Sequence, residues 1–366
     1  MSINRPSRVN STSRIAGNIG VKASTSGGAD GGNVNGLAPG NGYKYHTFTS
    51  TGTFSVAAGP LNLTDPNSTT YDHNTKTIGL TDNGASPIAG LNCEFLLVGG
   101  GASGWGQAGG GAGGLVVATN FPIVGSVTVT IGAGAAFPTS PPVPFPSGGG
   151  VDTTLSSPTM TTVTAGGGGA FAWPMVADGG SATGFTPNPT SGKVNASPGP
   201  PAAQPTLNPT YSPLPTFNQY GNVGGGGYAN DYRWQGGGGG GAGNAGGDSP
   251  QNGGGNPIGP GGGGGGNGSQ QPDYNAPLIG VPALAPLSAF YAGGGGGNNE
   301  NYPTYPAPFG NDGGSGGGGD CAAPTARNAT DNSGGGGAAN YSGWYNPDPQ
   351  RAGNGGSGIA VIRYSV

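Results

Sequence analysis

Short runs of alternating apolar and polar residues fill the first part of the chain, then give way to stretches with almost no side chains to pattern. Tyr43-Lys44-Tyr45-His46-Thr47-Phe48 and Thr53-Phe54-Ser55-Val56 are aromatic and β-branched. Ser50-Thr51-Gly52 between them predicts a hairpin. Glu94-Phe95-Leu96-Leu97-Val98 is a continuous apolar run, as expected of a strand buried on both faces. Strands are also predicted over 114–118, 126–132 (with clean period-two alternation), 151–155 and 160–164. These make about seven strands, the number a small β-sandwich needs. Gly358-Ile359-Ala360-Val361-Ile362-Arg363-Tyr364 predicts one more apolar strand at the end of the chain. Helix periodicity is absent throughout, so the expected fold class is all-β with no significant α-helix.

Glycine changes the picture from Gly99 onward. The chain has 366 residues, of which 86 are glycine and 35 proline. Many glycines are gathered into runs such as Gly236 to Gly241, Gly261 to Gly266 and Gly293 to Gly297. Composition of this kind predicts low complexity or disorder, because glycine has the most backbone entropy to lose and nothing to bury. The ordered alternative is close backbone packing. Extended left-handed helices of the polyproline II type have three residues per turn and no internal hydrogen bonds. When every position is glycine, each face can touch a neighbour, and the N–H and C=O groups can bond sideways between rods. A six-residue run would form a stiff rod roughly 19 Å long. The fold expected is therefore a small β-sandwich carrying a glycine-rich insertion of packed polyglycine II helices.

Four zones follow. Residues 1–42 form an N-terminal arm holding Arg5, Arg8, Arg14 and Lys22 with no acid before Asp30, and it reads either as an anchor lying on a partner or as an arm folded back on its own domain. Residues 43–165 form the sandwich. Residues 166–352 alternate glycine runs with Pro-, Asn- and aromatic-rich loops. Residues 353–366 return as a strand to the first sheet, which makes the rods one large insertion. If neighbouring rods run antiparallel, loops 170–223, 298–312 and 338–352 share one end, which would be the tip. The opposite end would collect Tyr228, Tyr232, Trp234, Tyr274, Phe290 and Tyr291.

Charge and cysteine content narrow the function classes. Charged residues are 7% of the chain and the net charge is −4, so no basic field exists to hold nucleic acid. No apolar stretch approaches the roughly 20 residues of a membrane span, and no hydrophobic leader follows Met1. Membrane insertion and secretion are not expected, and assembly in a cytoplasm is. The Asn-X-Thr sequons then carry no glycan. Cys93 and Cys321 are expected to be buried free thiols rather than a disulfide framework.

Thr47 to Val56, Phe95 to Gly101, Gly109 to Val116, Val127 to Gly134 and Gly355 to Tyr364 occur in an order that resembles the glycine-rich domain of bacteriophage tail fibre proteins and related virion surface proteins. The resemblance covers about residues 43–170 and 353–366. The long Pro-rich insert at 170–223, the dense aromatic loops and the short arm depart from the common pattern. The resemblance implies a tail fibre or adhesin on the virion surface, assembled in the host cytoplasm, with polyglycine II rods and loops that attach to the host. Its expected partners are other virion proteins, through the arm, and a bacterial surface protein or glycan. Phage fibres are often trimers, so a homotrimer is one expected assembly and a monomeric, internally completed bundle the other. A structural head or vertex decoration fibre without a specific receptor is the competing reading.

Aromatic loops carry the binding expectation. Tyr and Trp give large, rigid contact area at low entropy cost, and they recur in loops shown by rigid scaffolds. The candidate receptor-binding residues are Tyr302, Tyr305, Phe309, Tyr341, Trp344 and Tyr345, several of them beside Asn, Asp or Glu. The alternative for any one ring is burial over the rod ends. Arg5, Arg8, Arg14 and Lys22 are the candidate virion-anchoring residues.

Catalytic and metal chemistry find little support. His46 lies inside a predicted strand and His73 in a polar loop, without paired ligand spacing, so no metal or other cofactor is expected. Gly313-Gly314-Ser315-Gly316-Gly317 matches G-x-S-x-G but lacks the strand-to-helix elbow that exposes a nucleophile. The loop carboxylates, among them Asp231, Asp312 and Asp348, could pair for glycoside cleavage, yet solvated turn residues are their better reading. The chain is expected not to be an enzyme.

Overall fold

The computed structural model describes residues 28–56, 69–72, 77–80, 91–137, 148–158, 160–169, 181, 215–230, 233–249, 262–301, 311–321, 327–339 and 352–366. Its base is an antiparallel β-sandwich. One sheet takes the order β1 (Ala29–Asp30), β4 (Gly52–Val56), β9 (Ser126–Thr130), β10 (Thr153–Ser157) and β11 (Met160–Ala165). The other takes the order β12 (Thr216–Tyr220), β8 (Leu115–Ile123), β7 (Leu91–Val98), β18 (Ile359–Ser365), β3 (Tyr43–Phe48) and β2 (Val34–Leu37). The closing strand β18 sits between β3 and β7, with Val361 opposite both Thr47 and Leu96. A separate hairpin joins β5 (Thr69–Asp72) to β6 (Thr77–Leu80).

Strand alternation distributes the apolar side chains to two cores. Phe95 and Leu97 of β7 face the five-stranded sheet, where they meet Phe54, Val127, Val129, Leu155 and Val163. Leu96 and Val98 face the other way, with Leu115, Ile359 and Val361. Side chains of this size contribute about 1.5–3 kcal/mol each when fully buried. Such a strand needs cover on both sides. On the outer face the cover is a segment that runs through a 3₁₀ turn at Pro272–Tyr274, one helical turn α1 (Ala276–Ile279) and a second 3₁₀ turn at Pro282–Leu287. Asn275 caps α1 by accepting from Leu278 N, and Gly280 ends it in the left-handed region at φ 70°. The paired strands β15 (Ser269–Gln270) and β16 (Phe290–Tyr291) clamp the ends of this segment. Arg363 fastens it to the sheet: its guanidinium bonds Glu94 at 2.6 Å and Asp273 at 2.9 Å and lies 4.3 Å from the centroid of the Tyr43 ring.

Glycine rods rise directly from the sandwich strands. Residues 99–104 continue β7, 109–114 lead into β8, 148–151 into β10 and 353–358 into β18. The sheet ladder passes into a lattice with a different period. Val98 pairs with Leu115 in the sheet; beyond it Gly99 N bonds Gly114 O and Ala102 N bonds Gly111 O. The two residues between bond elsewhere. Gly100 and Ser103 donate to Val151 and Gly148, and Gly101 and Gly104 to Gly356 and Gly353. Three successive residues thus serve three different neighbours and the cycle repeats at i+3, which is the threefold screw of polyglycine II.

The same period links the inner rods. Gly236, Gly239 and Ala242 donate to Asn298, Gly295 and Ala292, so those two rods run antiparallel. Gly109 and Ala112 donate to Gly237 and Gly240, which makes that pair parallel. The lattice therefore mixes directions, so the condition under which the loops were sorted, antiparallel neighbours, holds for some rod pairs and not for others. A threefold rod has neighbours on several sides, and a peptide N–H aimed at a neighbour can bond either direction of chain. The zones also interleave: residues 29–37, expected in the arm, form β1 and β2; rods stand inside 43–165; and β12, from inside the rod zone, pairs with β8.

Close approach is what requires glycine here. A methyl group on Gly263 would overlap the carbonyl oxygen of Gly247, whereas one on Gly264 would find its nearest heavy atom, Asp312 O, at 4.0 Å. Gly263→Ala is expected to lower the melting temperature by roughly 5 °C or more, the scale of an overpacking cost of about 1–3 kcal/mol. Gly264→Ala, one residue away in the same run, is expected to leave it unchanged or slightly raised. Calorimetric scans of the two variants check this, and equal losses in both would contradict the lattice.

Candidate functional site

Rod directions give the molecule two different ends. Because the rods continue the strands, the sandwich ends where the lattice begins, and the far rod termini define a distal end. Register places residues 105–108, 137, 169, 249, 301, 311, 321, 327, 339 and 352 at or next to that end. The opposite end holds Gly28, the turn at 38–42, Gly125 and Val366, which donates to Gly42 O. Ala29 pairs with Val56 at that lower end, so residue 28 enters from the base. The base carries the junction to the N-terminal residues, and the distal end carries rod connections such as 105–108 and those flanked by Asn301/Asn311 and Ala339/Ala352, while the connection at 269–291 lies on the sandwich side.

At the distal end, β13 (Tyr228–Asn230), β14 (Arg233–Gln235) and β17 (Asn299–Asn301) form a three-stranded sheet above rods 236–242 and 292–298. Below it Asn298 N donates to Gln107 O, and Gly236 N to Asn298 O, with both amide side chains buried. Beside it, Trp105 and Ala108 exchange backbone hydrogen bonds across a two-residue turn in which Gly106 takes φ 49°. Phe137, at the top of the adjoining rod, packs against Trp105 with ring centroids 5.8 Å apart and planes tilted by 36°.

This arrangement corrects the sorting of aromatic residues between the two ends. Tyr228 and Trp234 belong to strands joined to 299–301, so they stand at the distal end rather than opposite it. Tyr274 and Tyr291 are buried at the sandwich end, where Tyr291 Oη donates to Tyr274 O. The cause is strict reversal of successive runs from 236 onward. The earlier insert runs instead from the distal end at 169 to the base at β12, so the phase of the alternation changes there. The candidate receptor-binding residues Tyr302, Tyr305, Phe309, Tyr341, Trp344 and Tyr345 lie outside the described residues, as do Arg5, Arg8, Arg14, Lys22, Tyr232 and His73. Asn301, Asn311, Ala339 and Ala352, which flank the six aromatic candidates, are distal. Trp105 and Phe137 had no signal beyond being single rings at the ends of glycine-rich stretches.

The outer rods present polar side chains at threefold spacing. Asn328 and Asp331, and Asp312 and Ser315, repeat on exposed positions, and exposed Asn354 is followed at the same spacing by half-buried Ser357, while the residues between them are mostly buried. Ser315 of the G-x-S-x-G match lies at the reversal between two rods, its N–H donating to Asn267 Oδ1. Among the described residues no group of three or more His, Cys, Asp or Glu is placed to hold a metal ion, and no helix is long and apolar enough to cross a membrane. Cys93 and Cys321 are buried free thiols, and burial pushes Cys321 up to about 12.

The chain belongs to the glycine-rich domain family, whose sequence profile matches residues 81–365. A comparison with curated proteins finds no match.

His46 is structural in its placement. Its ring is fully buried between Phe54 and Tyr364, and its Nδ1–H donates to Gly31 O at 2.9 Å. Burial lowers its pKa below the ordinary 6.5, assisted by Lys44 and opposed by the Gly31 carbonyl and Asp30. A folded pKa below the unfolded one means that the unfolded chain binds the proton more readily, so this stabilisation is present above pH 6.5 and lost as pH falls below it. The melting temperature is expected to fall between pH 7.5 and 5.5, and His46→Phe to flatten that dependence while lowering stability at pH 7.5. An equally steep pH dependence in the variant would contradict the assignment.

Proposed function

We propose that this chain is a non-enzymatic bacteriophage virion surface protein of the tail-fibre or adhesin type. It is assembled in the host cytoplasm, anchored to other virion proteins through the N-terminal segment that carries Arg5, Arg8, Arg14 and Lys22, and presents its rod connections to a bacterial surface protein or glycan. The observation that supports this most is the polarity of the fold. The N-terminal residues enter at the base, while the segments holding Tyr302, Tyr305, Phe309, Tyr341, Trp344 and Tyr345 join rods at the opposite end. A receptor-binding protein needs that separation, because the attached end must not occlude the end that meets the cell. The lattice supplies a second requirement: rods pinned by lateral bonds on several sides form a stiff platform, and recognition residues carried by rigid scaffolds lose less entropy on binding. The landmarks shared with phage glycine-rich domains point the same way.

Adsorption of the purified protein to a panel of bacterial strains tests this reading. Saturable binding to a narrow set of strains is expected. It should be lost, with an unchanged melting temperature, when Tyr302, Tyr305, Trp344 and Tyr345 are replaced together by alanine. Folded protein that binds no strain would favour a head or vertex decoration fibre instead.

A further inference from the structure

Six Asn-Gly steps occur in the chain, and the fold treats them unequally. At such a step the backbone nitrogen of the glycine can attack the side-chain carbonyl carbon of the asparagine, because glycine has no Cβ to shield that nitrogen or restrict the approach. Four of the steps lie among the described residues: Asn35-Gly36, Asn41-Gly42, Asn267-Gly268 and Asn354-Gly355. Asn83-Gly84 and Asn252-Gly253 lie outside them.

Two of the four are locked into the lattice. Gly268 N donates to Ser315 O at 2.6 Å and Gly355 N to Ala135 O at 2.9 Å, and both glycines are buried. An N–H committed in that way must leave its carbonyl before it can turn on the neighbouring side chain. Asn35 is exposed, but its Nδ2 donates to the carboxylate of Asp30. A negative charge there opposes the anionic intermediate that the attack creates. Asn41 has neither protection. Asn41 and Gly42 are both exposed in the turn before β3, and what ties Gly42 is its carbonyl, which accepts from Val366 N at 3.0 Å. Asn41 Oδ1 accepts from Tyr43 N at 3.3 Å. This Asx turn folds the side chain back along the backbone and sets an N–H dipole on the oxygen where negative charge develops.

We propose that Asn41 is a site of spontaneous deamidation and isomerisation, and that the glycine lattice protects the Asn-Gly steps it contains. The Gly42 nitrogen forms a bond to Asn41 Cγ, the Cγ–Nδ2 bond breaks, and the side-chain nitrogen leaves as ammonia with the Gly42 proton. Water then opens the cyclic imide at either carbonyl, giving aspartate or isoaspartate at position 41. The product acts on the sandwich. Asn41 Nδ2 donates to Tyr45 Oη at 2.8 Å, while Tyr45 Oη donates to Asp273 O and accepts from Arg363 Nη1. Deamidation replaces the Nδ2 donor with a carboxylate, which the tyrosine hydroxyl can serve only by leaving Asp273 O. The tie between the sheet and the 272–291 segment loosens as the protein ages.

Peptide mapping of the full chain by mass spectrometry, sampled through incubation at mildly alkaline pH, tests the site. Asn41 is expected to convert first, roughly tenfold or more faster than Asn267 and Asn354, whose reaction waits on local opening. In urea-unfolded protein the four steps should convert at similar rates. Asn35, Asn267 or Asn354 converting as fast as Asn41 in folded protein overturns the proposal, as does an intact Asn41 where the unfolded control reacts, or the same order of rates in both states. Asn41→Asp is expected to melt a few degrees lower and to exchange amide hydrogens faster over 272–291. A variant unchanged in both respects overturns the link to that segment.

Discussion

A peptide group without a side chain must still satisfy its N–H and C=O, and in this molecule that requirement sets the architecture. Ordering one residue costs about 1–2 kcal/mol of backbone entropy, while one lateral hydrogen bond contributes about 0.5–1.5 kcal/mol net. A lone glycine rod is therefore close to break-even and would not persist. Threefold packing changes the balance because successive residues along rod 99–104 each find a partner on a different neighbour. The rods also begin as strands of a sandwich whose side chains are buried on both faces of its central sheet. The sandwich fixes one end of each rod that continues its strands, and the lattice extends the order outward to the inner rods.

The transition from sheet to lattice occurs where side chains stop. At Val98 and Leu115 the pairing still follows the two-residue period of a strand; one residue further, at Gly99 and Gly114, the three-residue period takes over. Large side chains make the sheet spacing necessary, and their removal lets backbones approach. The Arg363 cluster works at the opposite side of the same junction. It holds the 272–291 segment over Leu96 and Val361, closing a face that glycine could not cover. Burial at the base and backbone bonding above it are complementary ways of excluding water.

Polarity follows from this construction. Rods that grow from one sandwich have their free ends on one side, so the connections gather there and the chain's entry at Gly28 is left at the other. The strands over 43–48, 52–56, 126–130, 153–157, 160–165 and 359–365 were legible as alternating or apolar runs, as were the 94–98 part of 91–98 and the first half of 115–123, read as 114–118. The short turns over 272–287 were not, because proline-rich helical turns of this length carry no periodic signal. A signal for the rods was present but subtle: Asn328/Asp331 and Asp312/Ser315 repeat every third residue on the solvent side, the spacing of a threefold helix. The six candidate aromatic residues were legible only as chemistry, and Trp105 and Phe137 only as isolated rings.

The sequence by itself determined the all-β class, the sandwich strands and the rod-forming runs, because alternation and the lack of side chains are local properties of the chain. Which rods are neighbours, in which direction each runs and which aromatic residues share an end were decided only by the tertiary structure. The physical reason is that glycine carries no side-chain label. A peptide N–H bonds equally well to any carbonyl at the right distance, so partner choice is left to the sandwich strands that hold the rods in place.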